Sequence, residues 1–171
     1  MSEWINKLRD SHTDFSKGGL IDSFGNNPFE GFSMWFDEAM THNELEANAC
    51  VLSSLNRETL QPSSRVVYLK ELKNELFVFY TNYNSQKGNE LLENPKTSLL
   101  FFWPGLQRQV RIEGVVEKVS SEESDLYFAS RPRESQLGAW ASNQSEVLID
   151  RNELITRLEE LDAKYPEIVP R

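Results

Sequence analysis

The spacing of apolar residues changes along this chain. Between Phe29 and Met40 large apolar side chains recur every three or four residues, which predicts an amphipathic helix. Asn27-Pro28 precedes them, and a capping residue followed by proline is typical of a helix start. Residues 1–26 are polar with scattered apolar positions, so we expect a flexible N-terminal arm there.

From residue 47 onward the pattern favours strands. Runs rich in β-branched and aromatic residues alternate with short polar or Gly/Pro-containing breaks. They cover Ala47–Leu55, Ser64–Leu72, Glu75–Asn82, Thr97–Trp103 and Arg108–Val119. The tight Lys73-Asn74 link predicts a β-hairpin. Ser85–Asn94, stopped by Pro95, predicts a short helix inserted between strands.

Two further helices are expected after the strands. Ser121–Ser130 begins with capping residues, and Arg151–Tyr165 carries a leucine stripe at helical spacing. Strands that follow one another with little helix between them favour an antiparallel sheet closing into a barrel over a parallel βαβ sheet. We therefore predict a mainly β protein with peripheral helices, with residues 27–171 forming one domain.

Composition limits the possible functions. The net charge of −9 argues against non-specific nucleic-acid binding. No apolar run approaches the roughly 20 residues of a membrane span, and the N-terminus lacks the apolar stretch of a secretory signal. A cytoplasmic protein is the expectation.

Cysteine and histidine are scarce. Cys50 is the only cysteine, and His12 and His42 are the only histidines, which leaves no cluster with metal-ligand spacing and no intrachain disulfide. Cys50 lies in an apolar run, where a small buried thiol is favoured over a nucleophile. Serines without a nearby histidine give no support for a hydrolytic triad.

The bases are concentrated in the middle of the chain. Residues 65–133 hold ten Lys/Arg against nine Asp/Glu, whereas the rest of the chain is strongly acidic. Such bases either bind small anions or keep sheet edges soluble, and the charge pattern alone does not separate these two interpretations.

A phosphate would have to be held by side chains, because neither G-x-G-x-x-G nor a Walker A pattern is present. The candidate groups are Arg65, Lys70, Ser85, Lys87, Arg131 and Ser135. Ser85 and Lys87 stand where a helix N-terminus favours an anion, although Ser85 is equally suited to capping alone. Arg65 and Lys70 are five residues apart and point to opposite faces of a regular strand.

Two other segments have the composition of a binding site. Arg131–Trp140 followed by Asn143-Gln144-Ser145 combines arginines, neutral hydrogen-bonding groups and an indole ring, which suits a phosphorylated aromatic ligand. On the strand from Gln107, Gln109, Arg111 and Glu113 share a polar face. Trp103 and Trp140 either stack on a ligand or belong to the core.

These residues, in this order, resemble the pyridoxine/pyridoxamine 5′-phosphate oxidase family, flavoproteins of the FMN-binding split-barrel fold. The resemblance covers residues 28–165. The matching stretches are Arg65-Val66-Val67-Tyr68-Leu69-Lys70, Phe79-Tyr80-Thr81-Asn82, Ser85-Gln86-Lys87-Gly88, Asn94-Pro95, Arg108-Gln109-Val110-Arg111-Ile112-Glu113-Gly114, Tyr127-Phe128, and Ser130-Arg131-Pro132-Arg133 continuing through Ser145.

The resemblance implies an activity and its ligands. The family oxidises the 4′ carbon of pyridoxine or pyridoxamine 5′-phosphate, passes a hydride to FMN and reduces O₂ to hydrogen peroxide, with no catalytic side chain in the protein. It forms homodimers with sites between subunits. By resemblance, FMN is bound by Arg65, Val66, Val67, Tyr68, Leu69, Lys70, Tyr80, Thr81, Gln86, Lys87, Gln109, Gln144 and Ser145. The substrate phosphate is bound by Lys70, Tyr127, Arg131 and Ser135.

Two features depart from the family pattern. Gln86 stands where the family has an arginine on the FMN phosphate, so weaker FMN binding is expected. Past the position of Arg171 the family continues into Trp-Gly-Gly and Arg-Leu-His-Asp-Arg segments, which supply further flavin and substrate contacts. The expectation is either a shortened oxidase or a paralogue that keeps the flavin site and lacks part of the substrate site.

Three functions follow from this pattern. The leading hypothesis is the FMN-dependent oxidase. The second is a flavin- or pyridoxal phosphate-binding module without turnover, and the third is an FMN-dependent reductase on the same barrel.

Overall fold

The computed structural model describes residues 26–42 and 44–171; apart from Asn26, the predicted N-terminal arm lies outside these residues. Five α-helices and six strands are present in this described part. The helices are α1 (Pro28–Thr41), α2 (Gln86–Glu93), α3 (Ser121–Ser130), α4 (Arg133–Ala141) and α5 (Arg151–Lys164). The strands are β1 (Ala49–Leu55), β2 (Pro62–Tyr68), β3 (Glu71–Lys73), β4 (Leu76–Val78), β5 (Lys96–Trp103) and β6 (Arg108–Val115).

Strand pairing confirms the predicted antiparallel sheet. One sheet has the order β2-β1-β5-β6, and β1 is antiparallel to both of its neighbours. The predicted strand Ser64–Leu72 is divided, because β2 ends at Tyr68 and β3 begins a separate two-stranded sheet with β4. Between them the backbone N–H of Lys70 donates to the carbonyl of Val78 at 2.8 Å.

The hairpin between β3 and β4 turns at Asn74-Glu75, one residue later than predicted. Both residues have positive φ, 50° and 64°. A two-residue turn of this kind matches the right-handed twist of the strands. Asparagine adopts this conformation readily, whereas Glu75 adopts it at a steric cost.

The described residues form two compact units. The first contains the described residues up to Asn48 together with Phe101–Val110. Asn27 caps α1 by accepting from the N–H of Phe29 at 2.9 Å, which confirms the predicted helix start. Phe32 of α1 is buried, and its ring lies 5.1 Å from Phe101 and 6.1 Å from Trp103, centroid to centroid. Trp103 is therefore a core residue.

The second unit contains Ala49–Leu100 and Arg111–Arg171. Leu52, Val67 and Leu99 are buried side chains of its strands. A separate helical cluster is formed by Phe128, Leu137 and Val169, with Leu158, Leu161 and Tyr165 packed against it. The predicted leucine stripe of α5 thus has its apolar contacts here.

Helix α4 was not predicted from the sequence. It begins after Pro132, which provides no side-chain cap, and it contains Gly138 and few apolar residues, so neither its start nor its hydrophobic period is marked. Within residues 26–42 and 44–171, no helix combines the length and apolarity that crossing a membrane requires.

Candidate functional site

The N-terminus of α2 is built around a buried serine. Ser85 is fully buried; its hydroxyl donates to the carbonyl of Asn82 at 2.6 Å and accepts from the N–H of Gly88 at 3.3 Å. The capping interpretation of Ser85 is confirmed by this bond.

Only glycine fits at position 88, because the main chain of the preceding loop passes very close to its Cα atom. A Cβ there would lie 2.2 Å from the carbonyl oxygen of Tyr83 and 2.8 Å from that of Asn82. Both contacts are far shorter than van der Waals distance, and both involve main-chain atoms. The first turn of α2 therefore packs directly on the preceding loop.

Lys87 carries a buried ammonium group with neutral partners. Its side chain donates to Oε1 of Gln144 at 2.6 Å and reaches Oγ of Ser85 at 3.5 Å. No carboxylate among residues 26–42 and 44–171 forms an ion pair with it. Burial lowers the pKa of Lys87, and the nearby charge of Arg65 lowers it further. Two predicted FMN residues, Lys87 and Gln144, are thus brought together.

Arg65 lies beside this group in a hydrogen-bonded network. Its guanidinium donates to the hydroxyls of Ser54 at 2.5 Å and Ser63 at 2.7 Å. It also forms an ion pair with Glu90 at 3.3 Å. Since Ser54 and Ser63 are paired residues of β1 and β2, the network joins both strands to α2.

Glu90 is the acceptor at the centre of that network. Its carboxylate is 4% exposed and accepts from Ser54 at 2.5 Å and Ser63 at 2.8 Å. These hydrogen bonds, with one from Gln86 and the charge of Arg65, outweigh burial and lower the pKa of Glu90 to about 2. The sequence-based reasoning missed Glu90. The signal was its spacing of three residues from Lys87, which places both on one face of α2.

Gln86 is exposed, but its side chain reaches back to a buried carboxylate. Its side-chain amide donates to Oε1 of Glu90 at 2.8 Å. A contact between Gln86 and FMN stays a prediction.

Exposed and buried residues alternate along the segment from Val66 to Lys70, which runs two residues past the end of β2. Val66, Tyr68 and Lys70 are exposed, whereas Val67 and Leu69 are buried. A ligand could therefore reach Val67 and Leu69 only through their main-chain atoms. The ammonium of Lys70 lies 5.6 Å from the ring centroid of Tyr68.

Tyr80 and Tyr127 form a parallel stack. Their ring centroids are 3.6 Å apart and the ring planes differ by 4°. The resemblance gives Tyr80 and the half-buried Thr81 to the cofactor and Tyr127 to the substrate. The stack therefore joins one residue from each predicted binding site.

Arg131 and Ser135 lie at the junction of α3 and α4. The carbonyl of Arg131 accepts from the side-chain amide of Gln136 at 2.8 Å, and Ser135 is in the first turn of α4. The guanidinium of Arg131 lies 5.8 Å from the ring centroid of Phe128, and no carboxylate in the described part of the chain pairs with it.

Arg133 and Trp140 serve the packing of the C-terminal residues. Arg133 forms an ion pair with Asp162 at 2.6 Å and donates to the carbonyl of Tyr165 at 2.5 Å. The indole N–H of Trp140 donates to the carbonyl of Pro170 at 2.6 Å. These contacts hold the C-terminal residues against α4.

Three other positions complete the account of the predicted residues. Gln109 is exposed on β6, in the first compact unit, and its role stays a prediction. Ser145 is exposed with φ of 75° in the loop between α4 and α5. Cys50 is buried, as expected, and burial raises the pKa of its thiol to about 11.

Comparison with known proteins identifies the family. The family model described as pyridoxamine 5′-phosphate oxidase matches residues 36–165. The pyridoxine/pyridoxamine 5′-phosphate oxidase of Bordetella petrii is 49% identical over 165 residues, covering 96% of this chain and 78% of the relative. That of Gloeothece citriformis is 48% identical over 166 residues, covering 96% and 77%.

Solved structures agree on the fold. PhzG from Burkholderia lata 383, in complex with tetrahydrophenazine-1-carboxylic acid, superposes with a TM-score of 0.84 at 26% identity, covering 91% of this chain and 78% of that one. A pyridoxamine 5′-phosphate oxidase-related, FMN binding protein from Nostoc punctiforme gives a TM-score of 0.60 at 12% identity, covering 77% and 72%. The predicted split-barrel architecture is confirmed, and the chain belongs to the pyridoxamine 5′-phosphate oxidase family.

Proposed function

We propose that this protein is an FMN-dependent oxidase of pyridoxine 5′-phosphate and pyridoxamine 5′-phosphate. The proposal rests on family membership and on the chemistry of the site around α2. It includes the finer expectations from the resemblance, namely a cytoplasmic homodimer whose sites lie between subunits and which uses O₂ as the oxidant.

The buried ammonium of Lys87 is the observation that carries the proposal. A buried cation is costly unless a negative group compensates it. Among the described residues, Lys87 donates hydrogen bonds only to the neutral oxygens of Gln144 and Ser85, and a second cation, Arg65, lies near enough to lower its pKa. Glu90 compensates one of these two charges. A phosphate monoester would compensate the other, so the residues present fit the phosphate of FMN.

The chain's own residues then have distinct tasks. Lys87 attracts and holds the cofactor phosphate, while Arg65, whose charge Glu90 balances, lies beside it. The amide oxygen of Gln144 fixes the ammonium of Lys87 by accepting a hydrogen bond from it. When bound, FMN would supply the hydride acceptor for the oxidation, with O₂ as the final oxidant.

A second set of residues suits the substrate phosphate. Arg131 has no acidic partner among the described residues, Ser135 lies in the first turn of α4, and Lys70 is exposed. Together with the hydroxyl of Tyr127 they would bind and orient a phosphorylated pyridine. The alcohol substrate gives the aldehyde and hydrogen peroxide; the amine consumes one water in addition and releases ammonia.

The test combines cofactor titration with a peroxide assay. The purified full chain is titrated with FMN, and hydrogen peroxide is measured after adding pyridoxamine 5′-phosphate. Lys87→Met is expected to weaken FMN binding by at least about tenfold, since a charge-assisted hydrogen bond contributes about 1.5–3 kcal/mol. Lys96→Met removes an exposed charge at the start of β5 and is the matched control.

Each outcome decides between the candidate functions. Failure to bind FMN refutes the proposal. Binding of FMN without peroxide refutes turnover and favours the binding-module hypothesis, and NAD(P)H oxidation without a pyridoxine compound favours the reductase.

A further inference from the structure

We infer that Glu90 limits how tightly the site around α2 holds a phosphate, because its carboxylate cancels the positive charge of Arg65. The inference rests on the proposed function, in which that phosphate belongs to FMN and is held by Lys87. It makes Glu90 a determinant of specificity, since the charge it cancels would otherwise strengthen the preference for FMN over riboflavin, the same flavin without its phosphate. The resemblance gives Glu90 no role.

Three charged side chains meet at this site. Glu90 follows Lys87 by three residues on the same face of α2, and both are buried. The carboxylate of Glu90 forms an ion pair with the guanidinium of Arg65 at 3.3 Å. The charge of Arg65 also reaches Lys87, whose pKa it lowers. Among the ion pairs of the described residues no other one involves these three, so together they carry one net positive charge.

The position of Arg65 depends mainly on two serines. Of the four hydrogen bonds that Arg65 donates within the described part of the chain, one goes to the hydroxyl of Ser54 at 2.5 Å. Two more go to the hydroxyl and the carbonyl of Ser63, at 2.7 and 3.3 Å. Only the fourth, at 3.3 Å, goes to Glu90. A glutamine at position 90 would leave the first three in place, so the main contribution of Glu90 to this site is its negative charge.

That charge opposes the binding of a phosphate. A dianion approaching Lys87 meets a net charge of one, whereas without the carboxylate it would meet a net charge of two. Charges in a partly buried site are screened less than charges on the surface, so the carboxylate weakens phosphate binding. The same charge stabilises the fold, since the pKa of Glu90 falls to about 2 in the folded chain. Glu90 thus adds stability at the expense of affinity, a common trade-off at binding sites.

The test compares two flavins by titration on the full chain. FMN and riboflavin share the ring system, and only FMN carries the phosphate, so the ratio of their affinities isolates the contribution of the phosphate. Glu90→Gln should raise FMN affinity about three- to tenfold, the size expected for one unit charge facing a dianion across a partly screened site, and should leave riboflavin affinity within about twofold. If Glu90 served only to order α2, the substitution would weaken the binding of both flavins.

Further variants test the cause of this change. Glu93→Gln removes an exposed carboxylate from the same helix and should leave the ratio unchanged. Lys87→Met should lose most of the preference for FMN, and adding Glu90→Gln to it should restore part of that preference, because the charge of Arg65 is then no longer cancelled. Since Glu90→Gln is expected to be less stable, the rise in the thermal midpoint with each flavin provides a second measure of the ratio, which also serves for a partly unfolded variant.

Three results would overturn the inference: an unchanged ratio in Glu90→Gln, an equal loss of both affinities, or a Glu90→Gln chain that neither flavin stabilises. Failure of the proposed function is distinguishable from these results. A wild-type chain that binds no flavin refutes the proposed function and the inference with it. FMN binding without peroxide refutes only the oxidase, and the ratio of the two flavin affinities still tests Glu90.

Discussion

Replacing Glu90 with glutamine isolates the contribution of one buried charge to folding. Glu90 accepts from Ser54, Ser63 and Arg65 through one oxygen, Oε2, and from Gln86 through the other. A glutamine side chain has nearly the same shape, and its single carbonyl oxygen can take the place of Oε2. Its amide would then face the amide of Gln86, which can rotate to accept. The substitution therefore removes the negative charge and keeps most of the hydrogen bonds.

The size of the effect follows from the pKa of Glu90. The pKa falls from its ordinary value of 4.5 to about 2 in the folded protein. This difference corresponds to about 3 kcal/mol of stability from the ionised form. A carboxyl whose pKa is lowered by folding stabilises the protein fully above the unfolded value of 4.5, and the stabilisation is lost as the pH falls toward 2.

Urea unfolding of wild type and Glu90→Gln measures this directly. We expect a difference in the free energy of unfolding of about 3 kcal/mol at neutral pH, decreasing to roughly half by about pH 3. Glu93→Gln, on the same helix at an exposed position, is the matched control and should be nearly neutral at both pH values. If Glu90→Gln cost the same free energy at both pH values, the charge would not be the cause, and the reasoning would fail.

Two further predictions concern the backbone around the site. Gly88→Ala should lower the unfolding free energy by at least about 1–3 kcal/mol in the same urea assay, because its Cβ would meet the carbonyl of Tyr83; an unchanged midpoint would contradict the close approach. Glu75→Gly should raise the thermal midpoint, since glycine relieves a left-handed conformation that costs about 1 kcal/mol, and a glycine directly after Asn74 would suit the hairpin turn. A lower midpoint would show that the Glu75 side chain stabilises the turn more than its backbone conformation destabilises it.

The sequence predicted those parts of the fold that are marked by neighbouring residues, such as caps, prolines and a regular apolar period. Helix α1 has its cap, its N-terminal proline and a regular apolar period, and it begins at the predicted residue, Pro28. The end of β2 at Tyr68 depends instead on which main-chain groups pair across the sheet, because Lys70 bonds to Val78. Such pairing between distant residues leaves no mark in the local pattern.

The sequence predicted several residues of the candidate site, but it did not predict which of them contact one another. Lys87 was identified from its place at a helix start, yet its partner Gln144 is distant in sequence, in a loop after α4. Glu90 was overlooked because a glutamate within a short polar helix usually faces solvent. Only the packing of α2 on β1 and β2 shows that it meets Arg65 and two serines.

These partnerships imply different tasks for the two neighbouring cations. Four hydrogen bonds already engage both terminal nitrogens of Arg65, and Glu90 balances its charge, so an arriving phosphate gains little new attraction from it. Lys87 has no acidic partner in the described part of the chain and holds only neutral oxygens. The uncompensated charge of the site therefore belongs to Lys87. If a phosphate is bound there, its affinity should depend more on Lys87 than on Arg65, while the stability of the strand pair should depend more on Arg65.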